Sequence, residues 1–152
     1  MYNTTPIAEF IGELLKDCRL AVLATEGNGQ PHVSLIAVTP FRGFREMIFA
    51  TYRNTLKFEN LSLNGRVAVL IQDERKDSPG RNTISVLTAY GHAAEIGTPE
   101  LEEAVNVHRE RHPDLAVLLQ SPDFAIFRVK VERYQIVRGI DDVTWLKTED
   151  LG

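Results

Sequence analysis

Ile7, Phe10, Ile11, Leu14 and Leu15 recur at the spacing of one helical face, which predicts a helix within residues 1–17. Thr5 is placed to cap it, and Pro6 suits its first turn. The period then changes. Residues 19–25 (RLAVLAT) and 31–39 (PHVSLIAVT) are runs of strand length. Between them lies Gly27-Asn28-Gly29, whose residues tolerate the positive φ of a tight hairpin. Residues 40–45 (PFRGFR) predict a second turn and residues 46–51 a third strand. A helix is expected from Asn54 or Thr55 to Asn64, closed by Gly65 as its C-terminal cap. Phe58 and Leu61 fall on one side of it, and Leu56 and Leu63 on the other. It is therefore expected to be covered twice, by the body of the fold and by a partner chain.

Residues 67–72 (VAVLIQ) predict a fourth strand, polar residues 73–82 a loop, and residues 83–96 a long strand bent at Gly91. Thr98, Pro99 and Glu100 supply a cap, a first-turn proline and a first-turn acid for a further helix. Leu101, Ala104, Val105 and His108 form its inner face, and Pro113 stops it. A short helix over 114–119 and one or two alternating strands over 124–137 follow, with 139–152 as a tail. Six short strands without regular crossover helices predict a small antiparallel barrel rather than a doubly wound sheet. The whole of 1–152 is read as one domain.

A chain of 152 residues buries about 68–70% of its unfolded surface, so no metal or disulfide staple is required. The net charge of −4 argues against nucleic acid or an acidic membrane as the natural partner. The single cysteine, Cys18, excludes an intrachain disulfide and fits a reducing cytoplasm. No apolar run approaches the ~18 residues of a membrane span. The start MYNTTPIAEF lacks the basic and apolar segments of a signal peptide. A soluble cytoplasmic protein is expected.

The chemistry concentrates where the third strand meets the helix. Thr51, Arg53, Thr55 and Lys57 set two hydroxyls and two cations there. A cation at a helix N-terminus has the wrong sign and costs roughly 0.3–1 kcal/mol. The free N–H groups of that end attract anions, so a phosphate reconciles Arg53 and Lys57 with their position. In an extended chain the four residues alternate to one side. Charge-assisted hydrogen bonds of roughly 1.5–3 kcal/mol each would then hold the anion. The competing reading is a solvated strand end followed by an ordinary cap.

Other candidates carry less. His108 and His112 are four apart, but Arg109-Glu110-Arg111 between them does not make the zinc-protease pattern, and no third ligand stands out. A metal site is not expected. Cys18 has the setting of an inert, partly buried thiol. Gly27-Asn28-Gly29 does not extend to a dinucleotide fingerprint, no P-loop lysine follows Gly80, and no serine stands in a nucleophile elbow. With no acid–base or nucleophile set, the catalytic residues stay unassigned. Enzyme chemistry here would be carried by a cofactor.

Three segments in succession, CRLAVLATEGNGQPHVSLIAVTP, MIFATYRNTLKFENLSLNGRVAVLI and VLTAYGHAAEI, resemble the FMN-binding split-barrel family, which includes the pyridoxamine 5'-phosphate oxidases. The resemblance is good over roughly 18–96 and looser over 124–137. It implies a mainly β fold with helical insertions: a six-stranded antiparallel split β-barrel of Greek-key type. It also implies a homodimer with one FMN per subunit at the interface. By that resemblance Lys57 matches the phosphate-binding lysine and Thr55 its neighbouring hydroxyl. Thr51 matches the strand end beside the flavin and ribityl chain. Ser34 and Thr39, on strand two, match contacts to the phosphate and the isoalloxazine ring. Arg53 and Asn54 join the set from the same turn.

The departures from the family pattern are specific. Leu56-Lys57 stands where the oxidases often have Arg-Lys, and Ser34 where the oxidases proper use arginine. The ending GIDDVTWLKTEDLG has no Arg/His motif for pyridoxamine phosphate. The implied function is an FMN-dependent oxidoreductase of unassigned small-molecule substrate or electron donor, not a true pyridoxamine phosphate oxidase. Tyr134 and Trp145 are candidates for ring stacking or a lid. The alternatives are a haem-binding protein, with His32, His92, His108 or His112 as ligand, a non-enzymatic flavin carrier or sensor, and a deazaflavin enzyme.

Overall fold

Alternation of buried and outward residues shapes the sheet. In β1 (Leu20–Gly27) Ala21, Leu23 and Thr25 are buried and their neighbours are less so, as expected of a strand that closes a core with one face. The computed structural model describes residues 5–73 and 85–151. It begins with α1 (Thr5–Asp17), β1 and β2 (Gln30–Ala37). Then come β3 (Thr39–Phe41), β4 (Glu46–Tyr52), α2 (Leu56–Leu63) and β5 (Arg66–Gln72). After β6 (Ser85–Glu95) and α3 (Leu101–Arg111), a 3-10 turn at Pro113–Leu115 leads into α4 (Ala116–Gln120). The long β7 (Phe124–Arg138), β8 (Asp142–Lys147) and a 3-10 turn (Thr148–Leu151) complete the described chain.

The strands form one antiparallel half-barrel in the order β2-β1-β5-β6-β7-β4-β3, with β8 also paired to β7. The β1–β2 hairpin turns on Asn28 (φ 53°) and Gly29 (φ 82°), the left-handed pair that matches the twist of the flanking strands. The main core gathers Leu23, Phe49, Val69, Leu87, Val129 and Tyr134 under α1, whose Ile11, Leu14 and Leu15 are buried in it. A smaller cluster of Phe41, Ile48, Ile96, Ala104, Leu119 and Ile126 lies under α3 and α4.

Several expectations are corrected. Thr39 does not continue the second strand. The chain leaves β2 at Ala37, and Thr39 starts β3 by pairing with Ile48, so the turn moves to residues 42–45. Pro40 fits because β3 is an edge of the sheet, where a missing N–H is tolerated. Gly65 is not a left-handed cap; Asn64 caps α2 in an extended conformation. A Cβ on Gly65 would meet the Ala93 carbonyl oxygen at 2.6 Å, so this glycine permits a close backbone approach. Thr98 does not cap α3, whose N-cap is Glu100 and whose first residue is Leu101. The Glu100 carboxylate instead bonds Arg42 and Arg128. The bend expected at Gly91 is a β-bulge between β6 and β7. The expected tail folds back as β8, and Leu151 is buried in the main core. The expected loop over 73–82 lies outside the described residues beyond Asp73. Among the described residues no helix is long and apolar enough to cross a membrane.

Candidate functional site

The β4–α2 connection is built by hydroxyls. Thr51, buried at the end of β4, brings Oγ1 to 3.0 Å from Oγ1 of Thr55. Thr55 Oγ1 donates to the Tyr52 carbonyl (3.0 Å) and accepts the N–H of Phe58 (3.2 Å), which makes Thr55 the N-cap of α2. Because β4 ends at Tyr52 and the chain turns, the strand alternation does not run from Thr51 to Thr55. Thr51 is buried, while Arg53 and Asn54 are exposed. The backbone N–H of Arg53 donates to the Asp123 carbonyl (2.8 Å) and ties the turn to the start of β7.

A second set of contacts fixes the helix. The Asn60 amide donates to the Thr25 hydroxyl at 3.1 Å, both buried. A Cβ at Gly27 would sit 2.1 Å from Asn60 Oδ1, so only glycine admits this approach. Asn64 Nδ2 donates to Glu26 Oε2 at 2.8 Å, and the Phe58 ring meets Phe127 edge-on at 5.9 Å. The faces of α2 divide as expected: Phe58 and Leu61 pack into the core, while Leu56 and Leu63 are 52% and 67% exposed.

Arg53 and Lys57 differ. Arg53 holds Glu95 with two hydrogen bonds, 3.0 and 2.6 Å, and stands 5.4 Å over the Phe58 ring. Lys57 is half-buried in the first turn of α2 and has no carboxylate or hydrogen-bond partner among the described residues. Burial pushes its pKa below the ordinary lysine value. The first-turn N–H groups of Leu56 and Lys57 are likewise left over by the Thr55 cap. A groove of about 610 Å³ beside the turn has Arg53, Asn54, Thr55, Leu56, Phe58 and the acid Glu59 among its lining residues, and Lys57 stands outside that lining.

The remaining predicted residues lie apart from this turn. Ser34 stands on β2, one strand beyond the β1 on which α2 is seated, opposite Leu23. Its Oγ is buried with no hydrogen-bond partner. Thr39 is buried and its hydroxyl lies 2.8 Å from His108 Nδ1. Burial, aided by the neighbouring charges of His112 and Arg111, pushes His108 down to about 4. His112 Nε2 donates to the Val38 carbonyl at 2.9 Å, and the two imidazole rings lie 4.9 Å apart. Tyr134 is wholly buried, with its hydroxyl donating to the Phe44 carbonyl, so it is core and not a lid. Trp145 is 48% exposed and packs on Tyr90 at 5.4 Å.

Sequence reasoning missed Glu95 and the Asn60–Thr25 pair. The partners are 42 and 35 residues apart, and no local pattern marks them. Also unmarked was an apolar outer face of the sheet, with Leu20, Val33, Leu35 and Leu70 exposed on β1, β2 and β5.

A sequence profile of pyridoxamine 5'-phosphate oxidase matches residues 7–138. No curated protein matches the chain. Among solved structures, a heme binding protein from Mycobacterium smegmatis is similar at TM-score 0.83 and 19% identity, over 95% of this chain and 59% of that one. A protein from Clostridium acetobutylicum related to general stress protein 26, of the pyridoxinephosphate oxidase family, is similar at TM-score 0.73 and 15% identity, over 95% and 99%. HutZ, a heme storage protein from Vibrio cholerae, is similar at TM-score 0.68 and 20% identity, over 82% and 89%. At these identities the likeness is one of fold.

Proposed function

The chain belongs to the pyridoxamine 5'-phosphate oxidase family, and from that premise we propose that it is an FMN-binding flavoprotein: an oxidoreductase of unassigned small-molecule substrate, working as a homodimer. The observation that carries this is Lys57, a half-buried ammonium at the start of a capped helix with no counter-charge among the described residues. A charge taken from water without a partner destabilises the fold, and an anion in the same turn relieves the cost.

The chain would hold the phosphate with the Lys57 ammonium and the N–H groups of Leu56 and Lys57. The hydroxyls of Thr51 and Thr55 and the amide of Asn54 border the same turn. Arg53 acts on the grip by shaping the turn, since Glu95 occupies its guanidinium. The unpartnered Ser34 hydroxyl is a further point of attachment. Thr39 serves the ring end through its backbone, because His108 holds its hydroxyl. A second copy would cover the apolar face of Leu20, Val33, Leu35 and Leu70 and keep water from the ring. Bound FMN supplies the electron transfer; the protein supplies grip, orientation and dryness.

Haem is the second reading, favoured by two structural relatives whose names say they bind or store it. His108 and His112 are 0% and 1% exposed; the Nε2 of His112 bonds the Val38 carbonyl and the unpartnered Nε2 of His108 is enclosed in the core, so His32 or His92 would have to serve as ligand. The test is the visible spectrum of the purified protein with each cofactor added. Saturable FMN binding that weakens at least tenfold in Lys57→Ala supports the flavin reading. A protein that ignores FMN but gives a Soret band with haemin overturns it.

A further inference from the structure

A second charged cavity lies away from the β4–α2 turn, at the bulge between β6 and β7. Tyr90 pairs with Arg133 but Gly91 pairs with Val131, so Glu132 is the extra residue. A bulge bends its strand and re-aims the side chains beside it. Gly91 is required there, because a Cβ would lie 2.0 Å from the Lys130 carbonyl oxygen. The cavity that opens beside it has a volume of about 930 Å³, and Arg45, Lys130, Arg133, Lys147 and Thr148 are among the residues lining it.

The charges in this cavity do not balance. Of its lining residues, Arg66 is paired with Glu132 at 3.0 Å, and Glu46 lies 2.8 Å from Arg128. That leaves Arg45, Lys130, Arg133 and Lys147 facing one remaining acid, Glu149. Arg45, Lys130 and Lys147 have no side-chain partner among the described residues. Among the described residues the Arg133 guanidinium meets rings, 5.1 Å from the centroid of Tyr90 and 4.9 Å from that of Trp145. In a chain of net charge −4 this is a local excess of positive charge. A separate observation points the same way. Thr148 is 5% exposed, lines the cavity, and has a buried Oγ1 with no hydrogen-bond partner. Such hydroxyls are normally satisfied.

We propose that this cavity is an anion site that takes the phosphate group of a small organic phosphate. The lining carries five cations, with Arg66 among them, against the three acids Glu46, Glu132 and Glu149, and this excess of two positive charges fits a dianion better than a single carboxylate. Lys130 and Lys147 act as mobile point charges, the Thr148 hydroxyl supplies the hydrogen bond it otherwise lacks, and the Tyr90 ring offers a face to the organic part. The site shares no lining residue with the turn of Thr51 to Lys57, so it stands or falls independently of the FMN reading.

The chain carries its own reporter, since Trp145 is the single tryptophan and lies under Arg133. Inorganic phosphate and pyrophosphate are titrated at constant ionic strength, followed by calorimetry and by Trp145 emission. Saturable binding is expected. It should weaken at least tenfold in the Lys130→Gln/Lys147→Gln double variant, whose substitutions are both on exposed residues. It should also weaken in Thr148→Val, with a melting temperature no lower than the parent's. It should persist in Lys57→Ala. The absence of saturable heat with either anion overturns the proposal, as does equal affinity in the double variant. Loss in Lys57→Ala overturns it too, by placing the anion at α2, and an equal response to sodium chloride reduces the effect to charge screening.

Discussion

Asn60 and Thr25, 35 residues apart in the chain, meet in a buried hydrogen bond of 3.1 Å that seats α2 on β1. The helix start that carries Lys57 is therefore positioned by a contact at its middle. Asn60→Ala leaves the Thr25 hydroxyl unpaired, which costs about 1–3 kcal/mol and should lower the urea midpoint. Gly27→Ala should cost a similar amount through its clash with Asn60 Oδ1. The two losses should be less than additive in the double variant, because removing the amide removes the clash. Full additivity in chemical denaturation would contradict the seating.

Lys57→Ala should separate binding from folding. Removing a half-buried ammonium that has no partner among the described residues should leave the apoprotein as stable as before or more so, while FMN affinity drops at least tenfold. Thermal melts with and without FMN measure both. A variant that melts lower in the apo form and binds FMN unchanged would make Lys57 a structural residue.

The Arg53–Glu95 pair gives a test by sign. Glu95→Gln frees the guanidinium while leaving a polar group of the same shape. FMN affinity at low salt should then rise several-fold, because a second cation becomes available to the phosphate. If affinity falls, the ion pair itself is needed to hold the turn.

His108 makes stability depend on acidity. Its folded value of about 4 lies below the ordinary 6.5, so between these pH values the unfolded chain binds more protons. Stability is complete above about 6.5 and declines as pH falls toward 4, by roughly 3 kcal/mol at most. The groups facing the ring are Thr39, His112 and Arg111, and His112 is displaced in the same direction. Urea midpoints at pH 7 and 4.5 should differ accordingly, and His108→Gln should shrink the difference.

Periodicity made α1, the β1–β2 hairpin and the two-sided α2 legible, because each states its burial within ten or so residues. The Thr55 cap was legible for the same reason. Arg53 and Lys57 looked alike in sequence, yet Glu95 distinguishes them from across the sheet, and nothing near Arg53 announces that partner. In isolation Pro40 resembles a turn residue, which puts Thr39 at the end of the second strand; only the position of Pro40 on a sheet edge permits a strand there. Gly65 has the look of a cap in the sequence, but the demand on it comes from Ala93 on β6. Trp145 and Val143 alternate too weakly in a polar terminal stretch to announce β8.

The edge prolines limit how copies of this molecule can associate. The strand order ends in β2 and in β3, with β8 a further edge beside β7, and β2 carries Pro31 as β3 carries Pro40. The β2 and β3 ends thus each lack a donor that a continuing ladder would need. Growth by adding strand to strand, the route to runaway polymers, is discouraged at those two ends. The exposed apolar residues of β1, β2 and β5 lie on a face, so covering them extends no strand ladder.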